Sequence, residues 1–254
     1  MEEKSEMEVP RVELGNQGLQ VSWLGFGCGG LSGIYNAPLS HEDGCSVIKR
    51  VFDKGVNFFD TSDIYGHKHD NEIMIGKALK ELPQERVQLA AKFGVTISDG
   101  MVFGVKGTPE YVRECCEASL KRLDVNYIDL YYQYRVDTSV PIEDTTKHPR
   151  YTGENLEKSK CFYERINDLG SKHARTPSQL ALAWLLHQEN DIIPIPGTTK
   201  LKNFENNIGS LNVKFTEEQL REVSDAVAVE EIAGKRDYGS LSRYMWKFST
   251  TPPK

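Results

Sequence analysis

An aspartate, a tyrosine and a lysine stand where consecutive apolar runs stop. Asp60 ends Val56-Asn-Phe-Phe-Asp60, Tyr65 follows in the loop Thr61-Ser-Asp-Ile-Tyr65-Gly66, and Lys92 ends Val87-Gln-Leu-Ala-Ala-Lys92. Parallel strands carrying these runs would project all three side chains from one rim. An ammonium beside a phenol favours the phenolate and lowers the phenol's pKa, while a carboxylate beyond keeps the ammonium charged and in place. Such a trio can donate a proton to a carbonyl oxygen. An aspartate after a strand is by itself usually a turn or helix cap. Lys92 at the next strand end is what carries the reading.

Reduction of a carbonyl also needs a hydride, and a later segment suggests its source. Asp191-Ile-Ile-Pro-Ile-Pro-Gly197-Thr-Thr-Lys200 reads as a short strand, a turn of glycine and two hydroxyls, and a lysine opening a helix through Asn203 and Asn207. Gly197, Thr198, Thr199, Lys200, Asn203 and Asn207 would then gather at a helix start, whose unpaired N–H groups and positive dipole end suit a phosphate. A nicotinamide dinucleotide is the expected guest.

The elements that must position these residues alternate regularly at first. Val12-Glu-Leu and Leu19-Gln-Val-Ser flank Gly15-Asn-Gln-Gly18 as a hairpin, and Trp23 to Cys28 reads as the first buried strand. Ser40 with Asp43 resembles a capping box for a helix along Ile48, Val51 and Phe52 that stops at Gly55. A second helix carries Ile75, Ala78, Leu79 and Leu82; a third, capped by Thr108-Pro109, turns Val112, Cys116, Leu120 and Leu123 inward; and Tyr127 to Gln133 is the fourth strand. Strands apolar on both faces, alternating with helices, argue for a parallel sheet and suit a (β/α) barrel.

The alternation then breaks. Residues 137–155 hold no strand-like run, and two helices follow: one from about Leu156 to Leu169, stopped by Gly170, and one capped by Thr176-Pro177 with Gln179 that packs Leu180, Ala183 and Trp184. Phe215-Thr216 with Gln219 and Leu220 combines a capping box with a hydrophobic staple for a last helix along Val223 and Val227. Core strands around Trp23, Phe58, Leu89, Leu130 and Ile193 make about five, where a closed barrel of the common type needs eight.

Composition narrows the function. A chain of 254 residues with 39% hydrophobic content can bury a sizeable core, and a net charge of −6 argues against a general nucleic-acid surface. No apolar run approaches the roughly 20 residues of a membrane span, and the acidic start Met1-Glu-Glu-Lys-Ser-Glu lacks a secretory pattern, so a cytoplasmic protein is expected. The five cysteines lack zinc-type spacing and read as reduced thiols. His67 and His69, in the polar loop Gly66-His-Lys-His-Asp70, read as solvent-facing, and no metal is expected.

Gly25-Phe-Gly-Cys28, Phe59-Asp-Thr-Ser-Asp-Ile-Tyr-Gly66, Ala91-Lys-Phe-Gly94, Asp129-Leu-Tyr-Tyr-Gln133 and Ile195-Pro-Gly-Thr-Thr-Lys200 together resemble the aldo-keto reductase family, and within it the plant auxin-induced or perakine-reductase-like group. The resemblance covers nearly all of residues 8–254 in two blocks. It implies a single NADP(H)-dependent oxidoreductase domain on a (β/α)8 TIM-barrel-type fold, reducing small-molecule aldehydes or ketones. Asp60, Tyr65 and Lys92 would be three of the family's four catalytic residues, with Tyr65 the proton donor.

Two departures accompany the resemblance. The family's fourth catalytic residue is a histidine in Tyr-Gln-His-Arg, whereas this chain reads Tyr132-Gln133-Tyr134-Arg135, so Tyr134 would meet the substrate instead. Near 145–147 the sequence passes from the start of the family's fourth helix to the segment before its seventh, as an internal deletion would leave it. The skipped part includes a Ser/Asn pair and a Gln that hold the nicotinamide carboxamide in the family. A barrel incomplete in this way is expected to have altered or weakened catalysis, and a reductase-like binding or regulatory protein without turnover is the alternative.

Overall fold

Short apolar runs joined by amphipathic stretches build a parallel sheet, closed at one end by a hairpin. The computed structural model describes residues 9–33, 37–98, 101–135, 154–189 and 192–227. The hairpin pairs β1 (Arg11–Leu14) with β2 (Leu19–Ser22) as the sequence predicts. Asn57 ties it to the sheet: its side-chain oxygen accepts from the Ser22 backbone N–H at 2.6 Å and from Arg11 at 2.7 Å, and its amide donates to the Gln20 carbonyl at 3.2 Å.

The main sheet begins with β3 (Phe26–Gly27), β4 (Phe58–Asp60) and β5 (Gln88–Phe93), all parallel. Helix α1 (His41–Asp53) joins β3 to β4, and α2 (Asp70–Leu79) joins β4 to β5. Ser40 caps α1, accepting from the Asp43 N–H at 3.1 Å while its hydroxyl donates to the Asp43 carboxylate at 2.7 Å. A hairpin of β6 (Val95–Ser98) and β7 (Met101–Val105) follows β5, then α3 (Pro109–Leu123) and β8 (Leu130–Gln133), which pairs parallel with β5. The β6–β7 hairpin is not among the sequence expectations. Its signal is Asp99-Gly100 between two β-branched runs, a pair suited to tight hairpin turns.

Helices α4 (Glu154–Lys172), α5 (Pro177–Leu186), α6 (Leu201–Ile208) and α7 (Glu217–Asp225) complete the described elements. Thr176 and Thr216 form the two expected capping boxes, with both reciprocal bonds present. The main core packs Leu24, Phe26, Ile48, Phe59, Met74, Ile75 and Leu123 with Phe204 and Ile208 of α6. Phe26 meets the edges of Phe59 and Phe204, with ring centroids 6.3 and 6.0 Å apart. Burying a ring of this size is worth roughly 1.5–3 kcal/mol, so Phe204 anchors α6 beside β3. No helix among the described residues is long and apolar enough to cross a membrane.

Several expectations are corrected. The run around Ile193 is not a strand; it lies along β3, where the Gly25 N–H donates to the Pro194 carbonyl at 2.9 Å. Pro194 and Pro196 have no N–H to return, so no ladder forms. The four-stranded order β3-β4-β5-β8 therefore stands where five strands were expected. Gly170 does not stop α4, which runs on to Lys172. The helix ends instead with Ala174 in the left-handed region (φ 52°) and the Arg175 N–H bonded to the Gly170 carbonyl at 2.8 Å. A side chain at 170 would come within 2.6 Å of the Arg175 carbonyl, so glycine serves this close return of the chain. On α3 only Leu123 of the expected inward residues is buried; Val112, Cys116 and Leu120 are half-buried. The junction near 145–147 lies outside the described residues.

Candidate active site

Strand register places the acid and the amine side by side. Asp60 ends β4, opposite Ala90 of β5; Lys92 lies two residues further along β5, opposite Tyr132 of β8. Residues two apart on a strand share a face, so Lys92 reaches back to Asp60 and the two form a buried ion pair, 7% and 3% exposed. Burial pulls the Lys92 ammonium below its usual range, and Asp60 opposes that pull by charge and hydrogen bond.

The Tyr65 loop folds over this pair. Thr61 N–H donates to the Ala90 carbonyl at 2.9 Å and Asp63 N–H to the Lys92 carbonyl at 3.0 Å, continuing the sheet pairing past the end of β4. Tyr65 N–H then closes a turn onto the Ser62 carbonyl at 3.1 Å. Asn71, fully buried at the start of α2, holds the loop from behind. Its N–H donates to the Tyr65 carbonyl at 3.2 Å, its side-chain oxygen accepts from Thr61 at 2.7 Å, and its amide donates to the Cys28 carbonyl at 2.9 Å and to Ser32 at 2.7 Å. Sequence reasoning passed over Asn71. Its signal is a polar residue in the first turn of a helix that directly follows the tyrosine loop.

All three expected residues thus meet at one mouth, but not as an ammonium bonded to the Tyr65 hydroxyl. Lys92 Nζ lies 5.0 Å from the centre of the Tyr65 ring. The Tyr134 ring meets the Tyr65 ring edge to face, with centroids 6.0 Å apart, and burial first, then nearby Tyr134 and Asp60, push the Tyr65 phenol above its ordinary range. The expected lowering of the phenol's pKa is therefore corrected to a rise, because a cation over the ring face does not offset removal from water. Tyr65 holds its proton firmly.

A second phenol takes the place beside the ion pair. The Tyr132 hydroxyl donates to Asp60 Oδ2 at 2.5 Å and accepts from Lys92 Nζ at 3.4 Å. Tyr65, Tyr132 and Tyr134 box the ammonium, with ring centres 5.0, 5.3 and 5.9 Å away. Sequence reasoning did not single out Tyr132, although Leu130, Tyr132 and Tyr134 fall at the two-residue spacing of one strand face.

Two further groups border the mouth. Asp63 is buried beside Glu72, and its carboxyl is pushed up to about 7 by burial first and by Glu72 second. It faces a cavity of about 650 Å³ also lined by Tyr111, Cys115 and Arg122. His67 and His69 are exposed, and His69 Nδ1 meets the Asp63 carbonyl.

The expected phosphate segment arrives on the other side of β3. A side chain at Gly197 would sit 2.4 Å from the Gly27 carbonyl, so glycine permits this approach. Gly27 is the register partner of Asp60, which puts the Gly197 turn one strand away from the acid. Thr198 Oγ1 accepts from the Lys200 N–H at 3.1 Å and thereby shapes the entry to α6. Lys200 is the exposed residue capping α6, and Asn203 and Asn207 lie one turn apart on it, Asn203 exposed and Asn207 buried. The cation, the hydroxyls and the open helix start match an anionic phosphate in charge and donor type.

Comparison with known proteins identifies the family. The sequence model of the Aldo/keto reductase family matches residues 23–151 and 144–228. A probable aldo-keto reductase 1 of Glycine max is 41% identical over 340 residues, covering 98% of each chain. The chain belongs to the aldo/keto reductase family, whose members are oxidoreductases. Two solved structures share its fold at 19% identity. A thermostable aldo-keto reductase in complex with the inhibitor epalrestat gives a TM-score of 0.69 over 86% of this chain and 100% of its own. The glycerol dehydrogenase of Gluconobacter oxydans gives 0.72 over 87% and 96%. The fold is accordingly the TIM-barrel type of these reductases, present in part.

Proposed function

We propose that this chain is an NADP(H)-dependent reductase of small aldehydes and ketones, a single cytoplasmic domain in which Tyr65 is the proton donor. The observation that carries the reading is adjacency: the Gly197 turn abuts Gly27, Gly27 pairs with Asp60, and Asp60 holds Lys92 beneath the Tyr65 ring. Gly197, Thr198, Thr199, Lys200, Asn203 and Asn207 would hold the phosphates, with Lys200 favouring a 2′-phosphate by charge. A nicotinamide cofactor held by these residues would supply the hydride for the carbonyl carbon. Tyr65 Oη gives its proton to the carbonyl oxygen. The Lys92 ammonium against the face of the Tyr65 ring, kept in place by Asp60 and Tyr132, offsets the charge left on the phenolate.

NADPH oxidation with a reactive aldehyde tests this. The Tyr65→Phe variant is expected to lose about 10²-fold or more of the rate, the usual share of a general acid. Equal rates for the two proteins would remove Tyr65 from the chemistry.

A second reading is favoured by a separate observation. The Glycine max alignment runs over 340 residues although this chain has 254, and the two family matches overlap at residues 144–151. Both fit an internal segment missing near 145–147, and with it the groups that grip the nicotinamide ring. On that reading the protein binds the nucleotide by its phosphate end and does not turn over. Tight NADPH binding without aldehyde-dependent oxidation would select it.

A further inference from the structure

Asn71 joins three stretches of chain at one point. Its side-chain amide donates to the Cys28 carbonyl and to the Ser32 hydroxyl, both in the short turn of 3₁₀ helix (Cys28–Ser32) that leaves β3, and its side-chain oxygen accepts from Thr61, the residue after Asp60. Those bonds use both amide hydrogens, so the side chain is committed to these partners. Thr61 and Asn71 are fully buried and Ser32 is 6% exposed, which keeps water from competing. The tyrosine loop closes onto the same point: the Asn71 backbone N–H holds the Tyr65 carbonyl, and Gly66 lies so near Ser32 that a Cβ there would stand 2.9 Å from the serine Cβ.

The turn after β3 has a second neighbour. Gly27, directly before Cys28, is the residue against which the Gly197 turn packs, and the Gly25 N–H holds the Pro194 carbonyl. A backbone contact at Gly27, the buried turn that follows it and one side chain therefore connect the phosphate segment with the tyrosine loop. Among the described residues, no other side chain from outside that turn hydrogen-bonds to it.

We propose that Asn71 is a positioning residue for Tyr65: it carries the placement of the phosphate segment, through the turn after β3, to the tyrosine loop, so that a nucleotide seated at Gly197 to Lys200 fixes the phenol before a carbonyl arrives. The roles of nucleotide and phenol rest on the reductase reading, whereas the tie between turn and loop does not. A reacting group misplaced by about 1 Å costs about 10²-fold in rate, so a tie of this kind bears on turnover without touching substrate.

Adenosine 2′,5′-bisphosphate tests the tie, because it brings phosphates and no nicotinamide ring that could touch Tyr65 itself. In protein carrying carbon-13 at the tyrosine ζ carbon, the Tyr65 resonance is assigned by its loss in Tyr65→Phe. Saturating bisphosphate should shift that resonance in the parent protein. Asn71→Ala keeps the backbone bond to Tyr65 and removes only the three side-chain bonds; it should bind the bisphosphate with nearly the parent affinity and lose the shift. A shift retained at saturation in a folded Asn71→Ala protein, or no shift in a parent that binds, would overturn the tie. Should Asn71→Ala unfold, Ser32→Ala and Thr61→Val each remove one tied hydroxyl and should each reduce the shift; an unchanged shift in both would overturn it equally. A parent that binds no bisphosphate would overturn the phosphate reading and this inference with it. In turnover with NADPH and a reactive aldehyde, Asn71→Ala should lower kcat by about 10²-fold with KM little changed. Placed in the Tyr65→Phe background it should cost almost nothing further, since a residue that acts through the phenol has nothing left to place. Losses that multiply would overturn the positioning role. A parent that binds the bisphosphate yet reduces no aldehyde would overturn the reductase reading, while the NMR result decides the tie.

Discussion

Asp63 and Asp60 are three residues apart and live in opposite surroundings. Asp60 has an ammonium and a phenol as donors. Asp63 has a second carboxylate nearby and, among the described residues, only the Ser62 hydroxyl, at 3.2 Å, as a side-chain donor. Its carboxyl rises from 3.8 to about 7 on folding, so the folded state binds that proton more tightly than the unfolded chain does. Below pH 4 both states are protonated and no stability is lost. As pH climbs from 4 through 7, the unfolded chain ionises freely and the folded state does not, so stability falls by as much as a few kcal/mol, of order 1.4 kcal/mol per pH unit in that window. Asp63→Asn should therefore raise Tm at pH 8 and leave it nearly unchanged at pH 4. Thermal melts at the two pH values check this, and an equal gain at both would point to packing instead.

Helix α2 is fastened to α3 by one buried charge pair. Glu72 is fully buried, and Arg122 Nε reaches its Oε2 at 2.5 Å while also donating to Ser119 at 3.1 Å. Removing one partner of such a pair strands the other away from water, at roughly 3–5 kcal/mol. Arg122→Ala should lose about that much in urea unfolding, and the Arg122→Ala/Glu72→Gln double variant should recover part of it. A loss under about 1 kcal/mol would mean that water reaches Glu72. Because α2 also carries Asn71, this pair steadies the Tyr65 loop from a distance. Such long-range ties were the illegible part of the chain. Capping boxes at Thr176 and Thr216, the N-terminal hairpin, the strand end at Asp60 and the place of Lys92 one residue before the end of β5 all follow from local spacing and are readable. The choice of Tyr132 as the phenol beside the ion pair depends on register between β5 and β8, residues 40 apart in sequence. Glycine at 170 misled for a related reason: its role is set by the returning Arg175 carbonyl rather than by helix propensity.

At the scale of the molecule, the two sides of the sheet are unequal. All but the first residue of β5 are buried, while β8 is half-buried at all four positions. Among the described residues β8 pairs only with β5. A closed barrel would bury an inner strand on both faces. The chain is expected to melt at a lower temperature than a relative with the complete barrel and to bind more of a hydrophobic dye such as ANS. Calorimetry and dye fluorescence on the two proteins check this, and matching values would show that β8 is covered in solution.

The opposite flank behaves differently. Beside β3 runs a segment in which Pro194 and Pro196 stand two apart, accepting one bond from Gly25. The imino residues lie on the side that faces β3, so the missing donors are those a ladder with β3 would use, and this flank is held by Ile193 and Ile195 packing against Val21, Phe58 and Ala90 instead of by strand pairing.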